Sequence, residues 1–178
     1  MAQPQPEVQV QVHMATVSDQ DNLILYQPGS RLKIRDFKGK PDGTSPGVGA
    51  TYSGILMEME GRQERGLLTI IVTLTVYFDK ERSWMKKEGR NAQVLAHEQL
   101  HFDLTAISAC ALAQAIAQEK YTAARAKQRL RELQQLYTGE LGRLQQEYDR
   151  ETHHGTLDKE QEQWRQRITG DLAEQHCW

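Results

Sequence analysis

The chain is poor in several things, and each scarcity narrows what it can be. Among 178 residues there are only 2 cysteines, Cys110 and Cys177, and no Cys-x-x-Cys pair, which excludes a cysteine-built zinc site. The two thiols leave two states open: a disulfide tying the central helix to the C-terminal tail in an oxidising compartment, or two free thiols in the cytosol. There is no excess of charge of either sign. With 22 basic against 24 acidic side chains the net charge is -2, which gives no bulk electrostatic footprint for nucleic acid. No uninterrupted apolar run has the length of a membrane span. Repeats and low-complexity tracts are also missing. The start, Met1-Ala2-Gln3-Pro4-Gln5-Pro6, lacks the basic region and apolar core of a signal peptide. It looks like a mature end left after signal cleavage, with Met1 added, and so points to a secreted or periplasmic protein. A cytoplasmic protein with a polar start is the alternative.

What is present suits one globular domain over residues 1–178, since 38% apolar and 26% charged residues can build a core at this length. Val8 to Met14 alternates apolar and polar residues as a half-buried strand does, with His13 on its polar side. Leu23 to Tyr26 is a second apolar run. Arg31 to Lys38 begins as a short alternating segment, and residues 39–50, rich in Gly, Pro, Ser and Asp, read as a long loop of functional length. Ala50 to Glu60 and Leu67 to Phe78 are the best strands, joined by a charged turn over 60–66 into an antiparallel hairpin. From Asn91 the periodicity turns helical. One helix runs to about Glu119 and a second carries Leu130, Leu133, Leu136, Leu141, Leu144 and Tyr148. A third is marked by Trp164, Ile168 and Leu172, with Asp158 as N-cap and Gln161 three residues on. A β-rich part (about 7–85) followed by a helical part (about 90–178) is an α+β organisation.

The chemistry is concentrated in His97-Glu98-Gln99-Leu100-His101. Histidines four apart on a helix lie about 40° apart around the axis and roughly 6 Å along it, so both imidazoles can reach one metal ion. Glu98 then lies beside that ion, free to act as general base on a water. Leu100 and Leu104 border the histidines, which puts the metal face at the edge of the core. Asp103 projects to nearly the opposite side from His101 and is expected to be structural. The blander reading is a pair of satisfied histidines on a buried helix.

A catalytic zinc takes three protein ligands, and the helix supplies two. Asp149, Glu151, His153, His154, His176 and His13 are the candidates for the third. His153 and His154 stand out because they follow a helix and precede Gly155, where a sharp turn can aim one of them back. Both could instead serve the helix dipole.

The run His97-Glu98-Gln99-Leu100-His101-Phe102-Asp103 resembles the His-Glu-Gln-x-His-Phe-Asp signature of a family of bacterial secreted zinc proteases, a domain of unknown function grouped with the zincin-like metallopeptidases. Asp36-Phe37-Lys38-Gly39 and Phe78-Asp79 to Ser83-Trp84 resemble further segments of it, and Tyr148-Asp149-Arg150-Glu151-Thr152-His153-His154-Gly155 resembles its Tyr-Asp-x-Glu-Thr-x-His-Gly block. The chain departs from the family at Ile34, where the family has Trp, and at Thr105-Ala106, where it has an acidic residue. The resemblance implies a zincin-like fold: a small antiparallel or mixed N-terminal sheet packed on the active-site helix, followed by long C-terminal helices. It also makes His154 the third ligand. The expected activity is a zinc-dependent metallopeptidase acting on a protein or peptide substrate. Zn2+ is held by His97, His101 and His154, Glu98 is the base, and Tyr148, His153 or Arg150 are oxyanion donors by position, Tyr148 foremost. The alternatives are a zinc-binding interaction protein without turnover and a metal-dependent amidase acting on cell-wall material.

Overall fold

The chain first builds β-structure: strands β1 (Glu7–Met14), β2 (Leu23–Leu25), β3 (Gly49–Ala50), β4 (Ser53–Glu64), β5 (Leu67–Asp79) and β6 (Trp84–Met85). Helices α1 (Ala92–Gln118), α2 (Ala126–Thr152) and α3 (Asp158–Glu174) follow. The structure, a computed structural model, describes residues 6–178. The polar start taken above for a mature end, residues 1–5, lies outside the described residues. The class is α+β, a four-stranded sheet with three helices.

β5 is the spine of the sheet. Ile70, Val72, Leu74, Val76 and Phe78 alternate along it and are at most 1% exposed, so one face is wholly covered. β4 pairs antiparallel along one side, from Ser53↔Phe78 to Glu64↔Leu67. β1 runs parallel along Leu67–Leu74 of β5, and β2 pairs antiparallel with Tyr77–Asp79 of the same strand. The hairpin turn is shorter than the expected 60–66. The ladder continues to Glu64, leaving Arg65 and Gly66 alone in the turn with φ of 48° and 85°. That left-handed pair matches the twist of a two-residue hairpin. The charged end of β4 stays in the ladder because its side chains are exposed. β3 and β6 form a separate antiparallel pair, Gly49↔Met85 and Ala50↔Trp84.

The Asn91 side chain caps α1 by accepting from the Val94 N–H at 3.0 Å. The helix packs the sheet on one side and α2 and α3 on the other, with Phe102 set against Tyr26 and Phe78 at ring distances of 5.2 and 5.9 Å. By length and composition α1 is apolar enough to cross a membrane, and 72% of that window is buried inside the fold, the position of a core helix. α2 starts at Ala126, and in the connection before it the Tyr121 hydroxyl donates to the Ile116 carbonyl at 3.0 Å. Cys110 and Cys177 form a disulfide with a Cα–Cα distance of 5.7 Å across 67 residues. In the chain-entropy account a loop of that size contributes about 4 kcal/mol. It holds the tail so that Trp178 lies against Tyr26, 5.2 Å between rings.

Candidate metal centre

One turn apart on α1, His97 and His101 are 3% and 9% exposed, and their Nε2 atoms are 3.2 Å apart. Two nitrogens at about 2.0–2.1 Å from a tetrahedral zinc would be separated by about 3.3 Å, so the spacing fits one ion. The third atom is Asp149 Oδ1, 3.0 Å from His97 Nε2 and 3.1 Å from His101 Nε2. His97, His101 and Asp149 are the one group of potential ligands found within 4.8 Å of one another among the described residues. His154 stands just outside it. Its Nδ1 is 3.3 Å from Asp149 Oδ1, and its side chain is half exposed at the lip.

The end of α2 explains this placement. His153, His154 and Gly155 have φ of 47°, 54° and 79°, three left-handed residues in succession. Each non-glycine in that region costs about 1–2 kcal/mol, and such strain persists where the surroundings enforce it. Here the Thr152 hydroxyl donates to the Tyr148 carbonyl at 2.7 Å and accepts from the Gly155 N–H at 3.2 Å. Gly155 itself admits no side chain, because a Cβ would stand 2.7 Å from the His97 ring.

Both histidines are held from behind by glutamines. Gln161 Oε1 lies 3.1 Å from His97 Nδ1, and Gln145 Oε1 contacts His101 Nδ1. The Gln145 amide nitrogen donates to the His101 carbonyl at 2.9 Å, which fixes the orientation of its amide. An amide oxygen can only accept, so each Nδ1 carries the proton and each Nε2 presents a lone pair. With both imidazoles neutral, two lone pairs and a carboxylate oxygen converge with no hydrogen-bond donor among them, and a cation, whether a metal ion or an added proton on Nε2, joins them. For His101, burial lowers the pKa, but the Asp149 hydrogen bond and the nearby acidic charges outweigh it, leaving the imidazole above its ordinary value. For Asp149, burial acts upward, and the hydrogen bonds to His101 and His97 hold the carboxyl well below the usual range.

Glu98 is 3% exposed, and its Oε2 has no hydrogen-bond partner. It faces a cleft of about 180 Å³ walled by the loop from Gly47 to Thr51, Val94 and the histidines. Gly49 makes room for it, since a Cβ there would stand 2.7 Å from Glu98 Oε1. The expected long loop is thus the cleft's far wall. A buried carboxylate oxygen without a partner is costly unless something enters to meet it. An orphaned acceptor beside three convergent ligand atoms fits a bound metal and its water.

Tyr148, the expected oxyanion donor, is placed differently. Its ring is fully buried, stacked on His97 at 4.6 Å and edge-on to His101 at 4.8 Å. Its hydroxyl donates to the His97 carbonyl at 3.3 Å and accepts from Gln161 at 2.7 Å, and it does not line the cleft. It is a support for the imidazoles. Glu151 accepts from Trp164 Nε1 at 2.9 Å, away from the histidines. His13 is exposed on β1, His176 is exposed in the tail, and His153 and Arg150 are exposed near the α2 terminus. Gln145 and Gln161 were not singled out for the site from sequence. The signal for the first exists: Gln145, Tyr148, Asp149 and Thr152 form a polar i, i+3, i+4, i+7 stripe within an apolar helix face. For Gln161 there is none.

No protein-family model, curated protein or solved structure matches the chain.

Proposed function

We propose that this protein is a zinc-dependent metallopeptidase of zincin-like type, with His97, His101 and Asp149 as ligands and Glu98 as general base. The observation that carries the reading is the convergence of two imidazole lone pairs and a carboxylate oxygen beside the unpartnered Glu98 carboxylate. When bound there, zinc supplies a Lewis acid for the scissile carbonyl and makes water easier to deprotonate. Glu98 takes the proton from the attacking water and returns it to the leaving amine. Gln145, Gln161 and Tyr148 keep both imidazoles in the ligating tautomer and orientation. His154 replaces Tyr148 as the residue for the developing oxyanion, because it lines the cleft and is fixed by Asp149.

An extended peptide is the favoured substrate. Among the described residues β3 is paired on one side only, with β6, and it borders the cleft, so its other edge can receive a substrate backbone. The Cys110–Cys177 bond favours an oxidising compartment, hence a secreted or periplasmic protein. The test is to purify the untagged protein, measure bound metal, and assay peptide cleavage by wild type and Glu98→Gln. Cleavage that survives the substitution removes Glu98 from the mechanism, and a lack of stoichiometric zinc removes the metal. Zinc without cleavage of any peptide would mark a binding protein, and turnover of peptidoglycan alone a cell-wall amidase.

A further inference from the structure

The outer edge of β1 has no partner strand among the described residues, since β1 pairs only with β5. The Glu7 N–H donates to Gly66 and the Ala15 N–H to Leu74, at 3.0 and 2.8 Å. Odd-numbered residues therefore turn their backbone groups toward β5. By alternation, Val8, Val10, Val12 and Met14 turn theirs to the free edge. Edge strands are ordinarily guarded by charge, proline or a bulge. The opposite edge of the sheet has such a guard, with Glu58, Glu60, Arg62 and Glu64 on β4. β1 has none along Val8-Gln9-Val10-Gln11-Val12, and its two ionisable residues, Glu7 and His13, stand near its ends.

That segment reads nearly the same in both directions. We propose that β1 pairs antiparallel with β1 of a second copy of this chain, about a two-fold axis at Val10. Val10 then meets the partner's Val10, Val8 meets the partner's Val12, Gln9 meets the partner's Gln11, and Glu7 meets the partner's His13. Registers in which even-numbered residues face each other satisfy the outward backbone groups. Among them this one also sets an acid against a histidine at each end. It forms about six new backbone hydrogen bonds, gathers the valines on the α1 side and stacks the glutamine amides on the other.

A groove of about 590 Å³ lies beside β1 on the α1 side, bordered by Val8, Val10, Ile116 and Tyr121. Side chains of the partner's valines would enter it. The contact is the same patch on both copies, so it closes as a dimer with a continuous eight-stranded sheet. Ile116 lies 19 residues beyond His97 on α1, about 28 Å along the helix, so both clefts stay open.

Charge placement at two exposed positions tests the surface and its register together. In sedimentation equilibrium at micromolar concentration the wild type should be a dimer. Gln9→Lys with Gln11→Lys sets like charges opposite each other twice and should raise the dimer dissociation constant about tenfold or more. Gln9→Lys with Gln11→Glu sets opposite charges together at the same two places and should restore the dimer. Circular dichroism melting checks that each variant keeps its fold. A monomeric wild type, a dimer untouched by the two lysines, open-ended filaments, or failure of the lysine–glutamate pair to restore association would each overturn the proposal.

Discussion

Two faces of α1 carry buried polar pairs at the same four-residue spacing and treat them in opposite ways. On one face Gln99 accepts from the Leu32 N–H at 2.8 Å and donates to Asp103 at 2.9 Å. Burial outweighs the Gln99 hydrogen bond, the Arg31 charge and the Tyr26 hydroxyl, and leaves the Asp103 carboxyl raised to about 6. Gln99 and Asp103 both have partners, and their network binds the helix to the segment before it. On the other face His97 and His101, when neutral, turn two Nε2 lone pairs toward one Asp149 oxygen, and Glu98 keeps an oxygen with no partner. Equal burial thus has two meanings. A closed network is structure, whereas an open one of like polarity is a candidate ligand site.

Glu98→Gln should separate the faces most sharply. Peptide cleavage should fall by about 10²–10⁴-fold while zinc content, measured by plasma emission, stays stoichiometric. A loss of zinc instead would make Glu98 part of the metal's support rather than the base. Next in size is the third ligand. Asp149→Asn should weaken zinc binding by about a hundredfold or more in competition titration, beyond what loss of an outer partner costs. His154→Ala should change affinity little and act on kcat. The reverse ranking would move the third ligand to His154, as the family resemblance has it.

The closed face should answer in stability alone. Gln99→Ala leaves the Leu32 N–H and the Asp103 carboxyl short of partners, and should cost about 1–3 kcal/mol in urea unfolding. Zinc affinity should stay as in wild type. A large drop in zinc affinity would mean the two faces are coupled through the helix and the contrast fails.

Sequence made these faces legible to different depths. The period of α1 was enough to separate Asp103 from the histidines, because angular position on a helix follows from spacing. Alternation in β5 and the run of hydrophobic steps in α2 revealed the α+β order for the same reason. The hairpin turn was overdrawn because charged residues in an exposed edge strand look like a loop. The third ligand was undecided before the family resemblance, because adjacent histidines before a glycine are conspicuous, whereas Asp149, the residue grouped with His97 and His101 in the structure, is reached only through a turn of the helix facing α1. Whether Cys110 meets Cys177 depended on how a tail folds back across 67 residues, which no local pattern encodes.

Gln161 is the clearest case of a role hidden by a local motif, and it gives the smallest and most specific effect. Three residues after Asp158 it suggests a capping box, yet Leu157 holds the N-cap position and the Asp158 carboxylate accepts from Gln93 at 3.0 Å. The Gln161 side chain reaches His97 Nδ1 instead. Gln161→Leu keeps the bulk and removes the acceptor, so the imidazole is free to change tautomer, and zinc affinity should fall about tenfold. Gln161→Glu keeps an acceptor at the same place and should hold affinity at or above the wild-type value. Equal loss in both would show that Gln161 serves packing under Tyr148, and that the open face is not oriented from behind by the hydrogen bond that sets its lone pairs.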